Sequence, residues 1–252
     1  MKRALIYGVI AALVTLSTVK AEATDISFIN GITKDAFKNL SKEAGAAFGY
    51  RNMAPAEPLG ITGFDIGAEV SGISIDRNSS QWSSAFRSDA PSYLVIPKLR
   101  ARKGLPLGID IGASYSSVPN SNIKLIGAEI SNAILEGSLA TPAVGVRATY
   151  TRLTGVSDLA LQTYGADASI SKGFLFITPY FGAGMMHISS EAKGTLKSAS
   201  LREYGINLGK EGITVPRYFV GLTISPLPLI SITAEAEYAV RPIYSFKAAV
   251  SF

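Results

Sequence analysis

From Phe64 to the C-terminus the chain follows a period of two. Tyr244, Phe246, Ala248, Val250 and Phe252 fall on one face of an extended segment, with Ser245, Lys247, Ala249 and Ser251 on the other. Before it, Ile230, Ile232, Ala234, Ala236, Tyr238 and Val240 oppose Ser231, Thr233, Glu235 and Glu237, and Tyr218, Val220, Leu222 and Ile224 oppose Arg217, Gly221, Thr223 and Ser225. The same split recurs over residues 64–71, 93–102, 109–116, 144–151 and 163–170, and less cleanly over 123–134 and 177–189. Alternation sustained over about ten residues between turn signals predicts strands. The pattern places ten of them, near 62–75, 92–103, 107–117, 123–134, 142–153, 159–171, 175–189, 214–225, 230–240 and 243–252.

A soluble β-sandwich also alternates, so the pattern alone leaves open what the apolar face touches. Three features favour lipid. Tyr93, Tyr115, Tyr150, Tyr164, Tyr218, Tyr238, Tyr244 and Phe252 sit at the ends of the apolar face, where an interfacial girdle lies. The opposite face is rich in Gly and Ser yet carries charges of both signs, as a crowded lumen does. The segments also have the ~9–11 residues that a tilted membrane strand needs. Composition agrees: only 17% of residues are charged, against ~25% in soluble domains, and mean hydropathy is +0.26.

Backbone groups in hydrocarbon must all be paired, so strands span a bilayer only when the sheet closes on itself. The expected fold is therefore all-β: a closed antiparallel transmembrane β-barrel of about ten strands over residues 61–252. With Phe252 at the periplasmic end, the connections at 103–106, 135–141, 172–174 and 226–229 are the short periplasmic turns. The long polar connections at 76–91 and 190–213 are then outside.

Residues 1–23 depart from this pattern and read as a secretory signal peptide. Lys2 and Arg3 precede an apolar run, and Ala21-Glu22-Ala23 is a small-x-small cleavage site. Residues 24–60 also break the alternation. Thr33 caps an expected helix whose Phe37, Leu40, Ala44 and Phe48 form an apolar stripe, with Asp35 in its first turn and Gly49 as its stop. Pro-punctuated extended chain then leads to the first strand. Two placements compete, a plug in the barrel and a periplasmic tether. An exposed stripe of Phe37, Leu40 and Phe48 favours the plug.

Residues 24–252 carry 21 basic and 18 acidic groups, a net of +3, and the basic groups are spread along the chain. This predicts no nucleic-acid partner. With no Cys and one His, neither a disulfide framework nor a Cys/His metal centre is expected, and no motif calls for a cofactor.

The terminal Tyr244-x-Phe246-x-Ala248-x-Val250-x-Phe252 resembles the C-terminal signature of bacterial outer-membrane β-barrels, and Thr178-Pro179-Tyr180-Phe181-Gly182-Ala183-Gly184 is similar to a stretch common in their small members. The resemblance covers residues 60–252, identifies no subfamily, and implies residence in a Gram-negative outer membrane among its lipids. It also implies recognition by the barrel assembly machinery through Phe252. A luminal N-terminal element resembles the hatch of long-chain fatty-acid transporters, but those barrels have more strands and no residues carry over.

Parity places Asp65, Glu69, Asp110, Glu129, Asp167, Glu235 and Glu237 in the lumen with Lys98, Arg100, Arg102, Arg147, Arg217 and Lys247. Mutual pairing that props the wall is the first expectation, and a polar passage or pocket the second. Lys98, Arg100 and Arg102 form a basic ladder on one strand face that would attract anions unless neighbouring carboxylates neutralise it. The one catalytic constellation is His187-Ile188-Ser189, which resembles the His-x-Ser pair of outer-membrane lipid hydrolases; Glu191 or Glu203 would have to orient the imidazole, and no Asn follows the Ser. The leading expectation is non-enzymatic, porin-like passage or binding of a small or amphipathic solute. The alternatives are a surface-adhesion or structural barrel, and a lipid hydrolase using His187 and Ser189.

Overall fold

A computed structural model describes residues 25–86 and 92–252, so the signal peptide expected over 1–23 lies outside the described residues. Ten strands form one closed antiparallel barrel: β1 Phe64–Ser74, β2 Tyr93–Gly104, β3 Ile109–Ser117, β4 Lys124–Leu135, β5 Ala143–Thr154, β6 Leu159–Ser171, β7 Ile177–Ala192, β8 Lys210–Leu227, β9 Ile230–Ala239 and β10 Arg241–Ser251. Each strand pairs with its neighbours in sequence. β1 and β10 close the ring in register from Asp65↔Ser251 to Ile73↔Ile243. Closure is completed at Phe64 and Phe252, which exchange both backbone hydrogen bonds at 2.9 Å and set their rings in a tilted contact 5.0 Å apart.

The outward positions are the apolar ones. Tyr93, Tyr115, Tyr164, Tyr218, Tyr238 and Tyr244 are exposed on one side of the belt, and Phe174, Phe176 and Phe252 at its other border. Between them lie exposed Ile66, Leu99, Ile111, Ile130, Val220 and Ile232. Such a continuous apolar surface on a sheet without edges is stable only against hydrocarbon, which makes the protein an outer-membrane barrel. No described helix is long and apolar enough to cross a membrane; the crossing belongs to the strands.

The two ends differ. Tight turns at 105–108, 172–176 and 228–229 lie at the end where β10 stops, the periplasmic end by the usual asymmetry of such barrels. The opposite end carries the long connections, with helix α2 (Ser80–Ser83) between β1 and β2 and helix α3 (Gly194–Tyr204) between β7 and β8. Here the expected boundaries need correction. Residues 190–213 are not one loop: β7 runs on to Ala192 and β8 begins at Lys210, leaving α3 and short flanks between them. Ser190 and Glu191 read as loop by polarity, yet both are laddered to β8, as Ser190↔Glu211 and Glu191↔Lys210.

Helix α1 (Lys34–Phe48) begins where expected, with the Thr33 hydroxyl accepting from the Ala36 N–H at 3.3 Å. Its end has a different cause from the expected left-handed stop. Gly49 has φ −57°, open to any residue, and a Cβ there would lie 2.7 Å from the Met186 sulfur. A larger residue there would require the Met186 side chain to give way, so glycine eases the close approach to the wall. The helix is also more buried than a single stripe: Ser41, Glu43 and every residue from Ala44 to Phe48 are covered.

The course of this segment fixes the interior. Residues 25–33 lie at the long-loop end: Ile26 bridges Phe86, the Ile26 N–H donates to Asn122, and the Ile32 N–H donates to the Ser200 hydroxyl. α1 then descends the lumen beside β6, β7, β8 and β10. Residues 50–63 continue to the short-turn end, where the Leu59 N–H donates to Asp110 at 3.1 Å and β1 begins. The chain therefore threads its own barrel from the long-loop end to the short-turn end.

Candidate functional site

Halfway down the lumen, three arginines from three strands converge on three successive carbonyls of the threaded segment. Arg217 Nη1 donates to the Tyr50 carbonyl at 2.9 Å, Arg100 Nη2 and Arg147 Nη1 to that of Arg51 at 2.7 and 3.1 Å, and Arg100 Nη1 to that of Asn52 at 2.6 Å. The strand period explains the convergence: 100, 147 and 217 are inward positions of β2, β5 and β8 at similar depth. The segment answers with its own cation. Arg51 places Nη1 2.7 Å from Glu237 Oε1 and donates through Nη2 to the carbonyls of Ala46 and Ala47, binding the helix end to the wall. Arg100 also lies over the Tyr50 ring, 4.5 Å from its centroid.

Around these contacts the wall charges alternate. Glu237 joins Arg217 at 2.8 Å, Arg217 reaches Asp167 at 3.4 Å, and Asp167 holds Arg147 at 2.8 Å. Arg147 lies 3.6 Å from Glu129, which meets Arg102 at 2.9 Å, and Arg102 meets Asp110 at 2.9 Å. Glu69 takes Lys98 at 3.2 Å and Arg100 at 3.1 Å, and Asp65 takes Lys247 at 3.0 Å. Every luminal residue expected from parity is inward and buried, and most are paired. The basic ladder is neutralised by carboxylates of β1, β3 and β4.

Seven inward carboxylates face six inward wall cations, and Arg51 is the seventh. At this depth the wall alone is not neutral, and wall and Arg51 together are; nearer the long loops the inward Arg241 of β10 is matched by Glu43 of the helix. Glu235 has no such cation and accepts instead from the Met53 N–H at 2.9 Å and the Tyr180 hydroxyl at 2.8 Å. Below, a cavity of about 20 Å³ bordered by Asn52, Pro55, Arg102, Asp110 and Arg147 is the size of one water molecule.

Phe37, Leu40 and Phe48 are fully buried inside the barrel. Sequence reasoning missed Tyr50, Arg51 and Met53, although a cation between an apolar helix and a Pro-rich stretch is a signal for a buried partner. It also missed Tyr180 and Phe219, inward aromatics 6.4 Å apart that fill the space above Gly221 and Gly182. His187 and Ser189 share one face of β7, and among the described residues no hydrogen bond joins the imidazole to Ser189 or Glu191. His187 is outward as expected, but its Nδ1 lies 3.0 Å from the Thr214 hydroxyl on β8, and Glu203 accepts from the Gly31 N–H at 2.9 Å. Among the described residues no carboxylate pairs with the imidazole.

No protein-family model and no curated protein matches the chain. Among solved structures it is similar to the N-terminal β-barrel domain of Pseudomonas aeruginosa OprF, with 13% identity and a TM-score of 0.38 over 77% of this chain and 99% of that one. It is also similar to Ail of Yersinia pestis, with 15% identity and a TM-score of 0.34 over 75% of this chain and 97% of that one. OprG of Pseudomonas aeruginosa gives 7% identity and a TM-score of 0.37 over 79% and 99%. The membrane assignment stands on this barrel's own apolar belt and closed sheet.

Proposed function

We propose that this protein is a non-enzymatic outer-membrane barrel, closed at rest by its own N-terminal segment, that acts by binding at its outer face. The observation that carries this reading is the neutralisation of the luminal wall by Arg51, whose guanidinium and flanking carbonyls occupy the inward side chains that a polar passage would use. Removing one partner from such a buried charge set leaves another uncompensated, at a cost of ~3–5 kcal/mol, so spontaneous exit of the segment is rare. The porin-like expectation is thereby narrowed to passage that first displaces residues 25–60.

Planar-bilayer conductance tests the reading. The full-length protein should stay at baseline, and a variant lacking residues 25–60 that still inserts should show steps. Steady open-channel conductance of the full-length protein would overturn it.

A further inference from the structure

The charge of the chain is not spread evenly over the molecule. The lumen is balanced, seven against seven. At the short-turn end Lys103 and Lys172 are matched by Glu57 and Glu136. Arg87 and Asp89 cancel in sequence between β1 and β2. The whole +3 excess of residues 24–252 therefore resides in the remaining groups, all at the long-loop end. At the centre of that end stands one ordered feature: Lys34, Lys38 and Lys42, spaced i, i+4, i+8 on one face of α1. Lys34 and Lys38 are exposed and Lys42 is half-buried. None of the three has an ion-pair or hydrogen-bond partner among the described residues. This is unlike the neighbouring Glu43, which receives Arg241 at 2.8 Å and the Trp82 indole N–H.

We infer that this lysine stripe is a docking surface for an anionic polysaccharide, a flexible glycan carrying sulfate, phosphate or carboxylate groups along its length. The inference deepens the outer-face binding proposed above and rests on it. Three reasons select this partner. A helix rise of 1.5 Å per residue sets the lysines about 6 Å apart along the axis, a ladder suited to a chain with one charge per sugar. The opposite face of the helix is locked in place by Phe37, Leu40 and Ser41, so the ammonium groups are presented without ordering cost to the backbone. The stripe belongs to the luminal segment at the mouth, with α2 packed against α1 and Ser200 of α3 bonded to Ile32 just before it, an uneven surface that suits a flexible chain better than a flat bilayer. Asn39 shares the exposed face and supplies an uncharged hydrogen-bonding group for sugar hydroxyls. Asp35 at its edge is the one opposing charge on that face.

The test uses full-length protein in detergent micelles, with dextran sulfate as the probe and unmodified dextran as the neutral control. Binding of dextran sulfate, absent for dextran and weakening as salt rises, is expected. The triple variant Lys34→Gln, Lys38→Gln, Lys42→Gln should bind on the order of tenfold more weakly. Its heat-modifiable gel shift should be unchanged, because none of the three lysines has an ion-pair or hydrogen-bond partner among the described residues. A second variant, Lys193→Gln, Lys197→Gln, Arg202→Gln on and beside α3, should lose less than half of that effect. Equal loss in both variants would overturn the stripe as the site, since binding would then follow net charge alone. Tighter binding of duplex DNA or of phosphatidylglycerol vesicles than of dextran sulfate would overturn the partner class. Conductance recorded on the same samples separates the two readings: no binding with baseline conductance refutes the stripe alone, and open conductance refutes the closed barrel.

Discussion

The two halves of the lumen solve the same packing problem with opposite chemistry. Towards the long loops, Ile73, Leu94, Ile96, Leu125, Leu161, Ile188, Ile213 and Ile243 close on Phe37, Leu40 and Ala44 of α1 as an ordinary hydrophobic core. Towards the short turns the wall is a belt of ion pairs around Tyr50, Arg51 and Asn52. The apolar half gains stability without regard to direction, ~1.5–3 kcal/mol for each fully buried large side chain. The charged half gains little net energy from each pair, because desolvation offsets attraction, yet it penalises every misplacement heavily. The comparison teaches a division of labour: the outer half holds the segment in, and the inner half fixes its register.

The largest effects should come from breaking the charged half. Arg51→Ala is expected to destabilise the folded barrel by ~3–5 kcal/mol in urea unfolding from liposomes, since Glu237 keeps only Arg217. Arg51→Met combined with Glu237→Leu should recover a substantial part of that loss. A double variant no more stable than the single one would show that the pair does not act as a unit. In the apolar half, Phe37→Ala should cost a similar ~3–5 kcal/mol, with no charge substitution able to rescue it.

Smaller effects sharpen the contrast. Gly45→Ala puts a Cβ 2.6 Å from the Ile188 side chain and should cost ~1–3 kcal/mol, partly returned by Ile188→Val in the same unfolding assay. The smallest change is expected for His187→Ala, within ~0.5 kcal/mol, because its side chain is outward and, among the described residues, bonded only to Thr214. Lipid turnover that depends on His187 would contradict the non-enzymatic reading.

The wall of the charged half was legible in the sequence, though Tyr50 and Arg51 at its centre were not, and the wall of the apolar half was not. Strict alternation sorts Asp65, Lys98, Arg147 and Glu237 inward because only one face of each strand there is apolar. Near the long loops the strands carry apolar residues on both faces, as in Leu94-Val95-Ile96 and Met185-Met186-His187-Ile188. Periodicity gives no sign there of which face meets lipid and which meets α1. Polar strand ends, such as Ser190-Glu191, read as loop because polarity is a poor guide where a strand rises above the membrane. The helix was readable from its cap and stripe, but its direction through the barrel was not. That direction depends on contacts far apart in sequence, such as Ile32 with Ser200 and Arg51 with Glu237.

The central claim, that α1 lies inside the closed sheet, can be tested by one cross-link. The chain has no cysteine, and the Ser41 and Ser190 hydroxyl oxygens are 2.6 Å apart, both side chains being buried between α1 and β7. In Ser41→Cys, Ser190→Cys protein expressed in outer membranes, mild oxidation should join the two sulfurs and remove both thiols from reaction with maleimide after unfolding. Two free thiols recovered from folded, membrane-inserted protein after that oxidation would place the segment outside the barrel and contradict the account.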